Sequence, residues 1–94
     1  MNRNTTTPEN ELITVINEIR DPTLIFRFFK ELLTETELKD LSLRWELLKK
    51  LHDGISQRKI ASELGISLCK ITRGSKLLKD RHSAVNQIIQ QHFS

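Results

Sequence analysis

The 94-residue sequence has few residues that interrupt helices and few thiol or aromatic groups. It contains three glycines, two prolines, one cysteine and no tyrosine. A single cysteine excludes an intramolecular disulfide and fits a reducing, cytoplasmic compartment. No apolar run approaches the roughly 18 residues of a membrane span, and the three histidines are too scattered for a metal site. We therefore expect neither a membrane protein nor a metalloprotein.

Helix-forming residues and a local excess of positive charge are abundant instead. Leucine, isoleucine, lysine and glutamate are common and no alternating strand pattern appears, which predicts an all-α fold. The formal net charge is +3, but residues 56–79 carry six lysines and arginines against Glu63 alone, a local excess of +5. Such a basic segment is typical of nucleic-acid binding. An enzyme is not expected, because no Ser/His/Asp order, acid pair or phosphate loop stands out.

Residues 56–73, within this basic segment, have the pattern of a helix-turn-helix. Ser56 caps a first helix over about residues 57–64, and Gly65 can adopt the left-handed conformation that ends it. Ser67 then caps a second helix. The apolar positions of the pair are Ile60, Ala61, Leu64, Ile66, Leu68 and Ile71. This motif places its second helix in the major groove of DNA.

Both helices of the motif carry candidate DNA contacts. Gln57 and Arg58, at the start of the first helix, suit contacts with phosphates and groove edges. The early turns of the second helix reach base edges, and its last turn adds salt-sensitive phosphate contacts. Lys70 either reads guanine or holds a phosphate, and phosphate is favoured. The second-helix candidates are Leu68, Cys69, Lys70, Thr72, Lys76 and Lys79.

Four further helices are predicted around the motif. Thr7-Pro8-Glu9 provides a cap, a proline and an acidic turn for the first, and Asp21-Pro22 ends it and starts the second. Thr34 to Glu37 matches a capping box for the third, which closes at Asp53-Gly54. The last helix follows a break at residues 80–83. The chain is therefore expected to contain about six helices.

These signals predict a disordered tail over residues 1–8 and one helical domain over residues 9–94, with the motif at about 56–78. The apolar content of the first, second and last helices is difficult to bury in so small a monomer. Three phenylalanines of the second helix resemble a surface meant for another chain. We expect a two-fold homodimer, which presents two recognition helices roughly 34–36 Å apart. The alternative is a loosely packed monomer.

Motifs along nearly the whole chain match one known family. The most specific are Ser56-Gln-Arg58 and Ile71-Thr-Arg-Gly-Ser75. Further matches are Leu33-Thr34, Arg44, Leu47-Leu48 and Leu78-Lys79. Over roughly residues 12–93 the chain resembles the bacterial tryptophan repressor family. The resemblance implies an intertwined homodimer that represses transcription by binding double-stranded operator DNA, with L-tryptophan as corepressor.

The resemblance also implies a ligand pocket between the core and the motif. Arg44 matches the arginine beside the indole ring, and Arg73 matches the arginine that approaches the carboxylate of the effector. Thr34 and Gly74 fall on other pocket positions of the family. A carboxylate in a partly desolvated site needs a charge-assisted donor, which Arg73 supplies. Ligand binding would then shift the population of motif orientations.

Two residues depart from the family pattern. Leu78 stands where the family commonly has a serine near the amino group of the ligand. Glu31 stands where an aliphatic residue of the partner chain lines the indole slot. An acid there weakens indole binding through desolvation unless it turns to water, and it favours a cationic amine instead. The alternatives are a related regulator with a different effector or none, and a helical protein-interaction module that does not bind DNA.

Overall fold

The computed structural model describes residues 7–93, and this part of the chain contains helices but no strand. The helices are α1 (Pro8–Glu18), α2 (Pro22–Leu32), α3 (Glu35–His52), α4 (Gln57–Leu64), α5 (Leu68–Lys79) and α6 (Ala84–Phe93). The predicted all-α fold with six helices is confirmed. The chain divides into two units, residues 1–38 and 39–94, with the division inside α3.

The first unit begins with two helices whose starts follow the predicted signals. The hydroxyl of Thr7 accepts a hydrogen bond from the Asn10 N–H at 3.2 Å, and Pro8 is the first residue of α1. Asp21 caps α2 by accepting from the Thr23 N–H at 2.9 Å. The predicted tail over residues 1–8 is therefore too long by Thr7 and Pro8. The remainder of that prediction lies outside the described residues.

The capping box at the start of α3 is present. The Thr34 N–H donates to the Glu37 carboxylate at 2.9 Å, and the Glu37 N–H donates to the Thr34 hydroxyl at 3.1 Å. The backbone N–H and then the hydroxyl of Thr34 lower the pKa of Glu37, because both hydrogen bonds favour the charged carboxylate. The N–H groups of Thr34 and Glu37, at the start of the helix, thus each donate to a side chain of the other residue.

The second unit contains the helix-turn-helix, α4 and α5. Ser56 caps α4, and Ser67 caps α5 by accepting from the Lys70 N–H at 3.4 Å. Between them Gly65 has a φ of +64°, in the left-handed region where a side chain would be strained. The first helix of the motif has its predicted bounds, and the second begins directly after its predicted cap, Ser67.

A small buried cluster holds the motif against α3. Leu47 from α3, Ile60 from α4 and Ile71 from α5 are buried and form its centre. Burying one such side chain contributes about 1.5–3 kcal/mol. The half-buried residues around the centre are Leu51, Ile55, Ala61, Leu64 and Ile66. Because each helix contributes one of the three central residues, the orientation of α5 depends on all of them.

Side chains at the turn between α5 and α6 form hydrogen bonds with backbone carbonyls at the end of α5. The Ser83 hydroxyl donates to the Leu77 carbonyl, and the Asn86 side chain donates to the Leu78 carbonyl at 2.6 Å. Carbonyls in the last turn of a helix have no partner within the helix. These two bonds therefore fasten α6 to α5, and Ile89 of α6 is fully buried.

An ion pair joins α3 to α4. The Lys50 Nζ lies 2.9 Å from the Glu63 carboxylate, and the Lys59 Nζ lies 3.9 Å from its other oxygen. The hydrogen bond from Lys50 lowers the pKa of Glu63, and the same bond raises the pKa of Lys50. Both partners are partly exposed, so solvent screens the pair.

We predict that Glu63→Gln destabilises the protein at pH 6 and does so less at pH 3. A carboxylate with a lowered folded-state pKa stabilises the fold above its ordinary value of 4.5, and this contribution is lost as the pH falls through the folded-state value. The pKa of Lys50 is raised, so Lys50 stays charged throughout this range, and protonation of Glu63 alone removes the ion pair. Urea unfolding followed by circular dichroism measures the difference between variant and parent.

Glu46→Gln is the matched control, since Glu46 pairs with Lys49 of its own helix and not with α4. An equal difference between Glu63→Gln and the parent protein at pH 6 and pH 3 would contradict the prediction.

Candidate functional site

One face of α5 points away from the buried cluster. Its exposed residues are Leu68, Cys69, Thr72 and Lys76, and they line a shallow groove with Arg73 and Leu77. Spacings of one, four and eight residues bring them to one side of a helix. Four of the six second-helix residues predicted to contact DNA therefore share a surface. Lys79, at the end of α5, is also exposed.

The start of α4 meets this face of α5. The Thr72 hydroxyl lies 3.5 Å from the Gln57 side-chain oxygen, at the edge of hydrogen-bonding distance. This contact places the two predicted DNA-binding residues side by side, although they are fifteen positions apart in the chain. Arg58, the next residue of α4, is exposed. The structure thus brings the predicted contacts of both helices onto adjoining surface.

A cavity of about 420 Å³ lies on another side of α5, between α3, α5 and α6. Its volume is in the range of small-molecule sites. Its walls combine four aliphatic side chains, three cations and one glycine. The lining residues are Arg44, Leu47, Leu48, Lys70, Arg73, Gly74, Leu77 and Val85. Leu47 and Gly74 are buried whereas the three cations are exposed, so the cavity has an apolar floor and a basic rim.

A stripe along α5 forms one wall of the cavity. Lys70, Arg73, Gly74 and Leu77 follow the spacing i, i+3, i+4 and i+7, which defines one side of a helix. Lys70 therefore lies on the cavity side of α5, although sequence reasoning grouped it with the DNA contacts. Arg73 and Leu77 border both the cavity and the outward groove.

Gly74 of α5 faces leucine side chains of α3. A Cβ at this position would lie 3.4 Å from a methyl carbon of Leu48 and 3.4 Å from one of Leu51. A third methyl carbon, of Leu47, would be 3.6 Å away. These are ordinary contact distances, so one methyl group fits and a larger side chain does not.

Three of the four predicted ligand-binding residues line this single cavity: Arg44, Arg73 and Gly74. The fourth, Thr34, belongs to the other unit and forms the capping box of α3. Glu31 is also in that unit and is exposed. Their roles in ligand binding stay predictions.

Sequence reasoning missed the aliphatic lining of the cavity. The spacing of Leu77 from Arg73 and Gly74 predicts that it lines the cavity. Val85 lines the cavity only because α6 packs beside α5. Leu78, singled out as a departure near the ligand, does not line the cavity, and its carbonyl accepts from Asn86. The aliphatic residue that faces the cavity is its neighbour Leu77.

Residues 7–93 contain neither a metal-ligand cluster nor a membrane-spanning helix. In this range no three histidine, cysteine, aspartate or glutamate side chains group together as a metal site. Of the helices in the same range, none has the length and apolar character needed to cross a membrane.

Comparisons with known proteins point to one family. The family model described as Trp repressor protein matches residues 9–93. A Trp operon repressor homolog of Chlamydia trachomatis serovar D is 29% identical over 82 residues, covering 86% of this chain and 87% of that protein. A Trp operon repressor homolog of Xylella fastidiosa strain M23 is 42% identical over 52 residues, covering 54% and 56%.

A third relative bears no functional name. Uncharacterized protein YerC of Bacillus subtilis strain 168 is 28% identical over 82 residues, which cover 87% of this chain and 79% of that protein. No solved structure matches the chain. The relatives therefore include proteins named as repressors and one whose function its name leaves open.

We predict that Gly74→Ala preserves the fold while Gly74→Leu destabilises it. Alanine adds one methyl group at contact distance and is favoured over glycine in a helix by about 1 kcal/mol. Leucine would overpack the contact between α5 and α3, at a cost of about 1–3 kcal/mol. Urea unfolding measures both variants. A large loss of stability in Gly74→Ala would show that α5 lies closer to α3 than described.

Proposed function

Because the chain belongs to the Trp repressor family, we propose that it is a dimeric transcriptional repressor that binds operator DNA when a small corepressor occupies its cavity. The helix-turn-helix of α4 and α5 binds the operator, and the cavity between α3, α5 and α6 binds the corepressor. The names of the Chlamydia and Xylella relatives support the repressor function.

The position of Arg73 is the observation that supports this proposal most directly. It borders the cavity on one side of α5 and the outward groove on the other. A ligand that touches Arg73 therefore acts directly on the helix that reads DNA. Ligand contacts that are better in one orientation of α5 than in another shift the population towards that orientation. Operator binding and ligand binding then strengthen each other by the same factor.

The charge of the motif supports DNA as the partner. Residues 56–79 carry a net +5, while the formal charge of the whole chain is only +3. Gln57 and Arg58 at the start of α4 contact phosphates. Leu68, Cys69 and Thr72 of α5 reach base edges, as small or apolar residues do in the major groove. Lys76 and Lys79 add phosphate contacts.

Exposed apolar side chains support a homodimer. Five large ones lie in the first unit: Ile13, Val15, Leu24, Phe26 and Leu32. Phe26, for example, is 57% exposed. Apolar surface of this extent marks a site of association. A second copy that covers it also supplies the second recognition helix, as a two-fold operator requires.

L-Tryptophan is the corepressor that the family suggests, and two features of the cavity fit it. The aliphatic floor of Leu47, Leu48 and Leu77 suits an indole ring, which binds chiefly by burying apolar surface. Arg73 is the donor that a carboxylate needs, since a guanidinium group forms paired, charge-assisted hydrogen bonds, and Arg44 lines the same cavity beside the place of the ring. When bound, the zwitterionic ligand supplies an aromatic wedge and places its carboxylate beside α5.

We predict a steep salt dependence of binding to duplex DNA selected from a random library. Each phosphate contact contributes a slope of about −0.9 to log K against log salt, because counterions are released. Lys76→Gln should reduce the slope by about one. Lys49→Gln should leave it unchanged, because Lys49 lies on α3 and pairs with Glu46. Fluorescence anisotropy measures the slopes. A flat response would favour the protein-interaction module instead.

We predict that saturating L-tryptophan increases DNA affinity and that calorimetry detects its binding. Arg73→Ala should remove the heat of binding, because the carboxylate loses its charge-assisted donor. The measurements are titration calorimetry of the purified protein and anisotropy with and without ligand. Heat of binding without a change in DNA affinity would show that L-tryptophan binds but does not regulate DNA binding. If L-tryptophan gives no heat and does not change DNA affinity, the protein is a family member with another effector or with none.

A further inference from the structure

The outward face of α5 begins with two exposed apolar side chains. Leu68 and Cys69 are the first two residues of the helix, and 52% of Leu68 is exposed. A free cysteine behaves as a small apolar group with a weak donor. Ile71, three positions after Leu68, is by contrast fully buried. The apolar surface of Leu68 is therefore free to be buried by a partner, which lowers its free energy.

The charge around these two side chains indicates the partner that buries them. Arg73 and Lys76 line the same shallow groove as Leu68 and Cys69, and residues 56–79 carry a net +5. In the major groove of duplex DNA, the C5 methyl group of thymine is an apolar group that lies between two phosphate backbones. An apolar start of α5 with cations beyond it is complementary to such a groove.

The same groove of the protein offers few groups for reading bases by hydrogen bonds. Within residues 7–93 its lining contains no asparagine, glutamine, aspartate or glutamate, the side chains that pair with adenine or cytosine. The Thr72 hydroxyl is directed at the Gln57 side-chain oxygen, 3.5 Å away. Lys76 lies eight positions after Leu68, about 12 Å along the helix axis. Arg73 is assigned to the corepressor.

We propose that Leu68 and Cys69 recognise thymine through its C5 methyl group and thereby set part of the sequence specificity of the operator. The inference rests on the proposed DNA-binding function and names the base that the start of α5 recognises. Apolar contact with this methyl group distinguishes thymine from cytosine, which has a hydrogen at the same position. Leu68 is the larger side chain and makes the main contact, and Cys69 extends the apolar surface beside it.

The first test removes the methyl group from the DNA. A duplex selected from a random library is synthesised again with each thymine replaced in turn by deoxyuridine, which keeps the hydrogen-bonding groups and lacks the methyl. Fluorescence anisotropy should show an affinity about fourfold lower for at least one replacement in each half-site, the factor expected for burial of one such carbon group. The other replacements should leave the affinity unchanged.

A second pair of duplexes separates the methyl group from the hydrogen-bonding pattern of the base pair. At the sensitive position the T·A pair is replaced by a C·G pair or by a pair of 5-methylcytosine with guanine. The methylated duplex should bind more tightly than the C·G duplex, because it restores the methyl group alone. Equal binding of these two duplexes would contradict recognition of the methyl group.

Leu68→Ala tests the assigned residue. It should bring the ratio of affinities for the thymine and deoxyuridine duplexes from about four towards one, because the methyl group loses its apolar contact. Cys69→Ser should lower the ratio in part. Lys76→Gln is the control, since loss of a phosphate contact weakens both duplexes by the same factor and leaves the ratio unchanged. Circular dichroism verifies that the variants are folded.

Two further outcomes overturn the proposed readout. One is a selected duplex in which no thymine methyl group affects the affinity, and the other is an unchanged ratio in Leu68→Ala. The salt dependence of binding, measured with the same duplexes, keeps the proposed function separate. A steep salt dependence with equal binding of the thymine and deoxyuridine duplexes would retain DNA binding and reject the readout. Failure to select any duplex from the library, together with a flat salt response, would reject both.

Discussion

The packing of α3 leucine side chains against α5 is the contact on which the functional surfaces of the second unit depend. Ile71 is fully buried beside Leu47. A Cβ on Gly74 would lie at contact distance from methyl carbons of three leucines of α3. This contact sets the rotation of α5 about its own axis. Once that rotation is set, Cys69 and Lys76 point outward while Lys70 and Leu77 line the cavity. Both surfaces therefore follow from one packing contact.

The charged residues of the helix-turn-helix are divided between a packing contact with α3 and the exposed surfaces of the motif. Glu63 is the sole acid between residues 56 and 79, and it is used to join α4 to α3 through Lys50. It therefore contributes no countercharge to the cavity or to the outward face of α5. The six basic residues of the motif are all exposed.

Local signals in the sequence predicted the helix boundaries well, because each depends on neighbouring residues only. Thr34 and Glu37 form the expected capping box, and Gly65 has the left-handed φ expected between α4 and α5. The predicted end of the tail at residue 8 disagrees with the local signal of Thr7 and Pro8, which are the cap and the first residue of α1.

The candidate site was predicted only in part. Resemblance to a family identified Arg44, Arg73 and Gly74, which do share one cavity. Lys70 was grouped with Cys69 and Thr72 because the three are near in sequence, and a rotation of one position on a helix moves a side chain by about 100°. The same angle separates Leu77, which lines the cavity, from Leu78, which does not.

The sequence by itself therefore determined the helical class, the helix-turn-helix and the local excess of basic charge, because caps, periodicity and composition are properties of short segments. Only the tertiary structure decided which side of α5 faces α3, and hence which cations border a cavity and which residues face outward. That decision depends on Leu47, Ile60 and Ile71, which come from three different helices and meet only when the chain is folded.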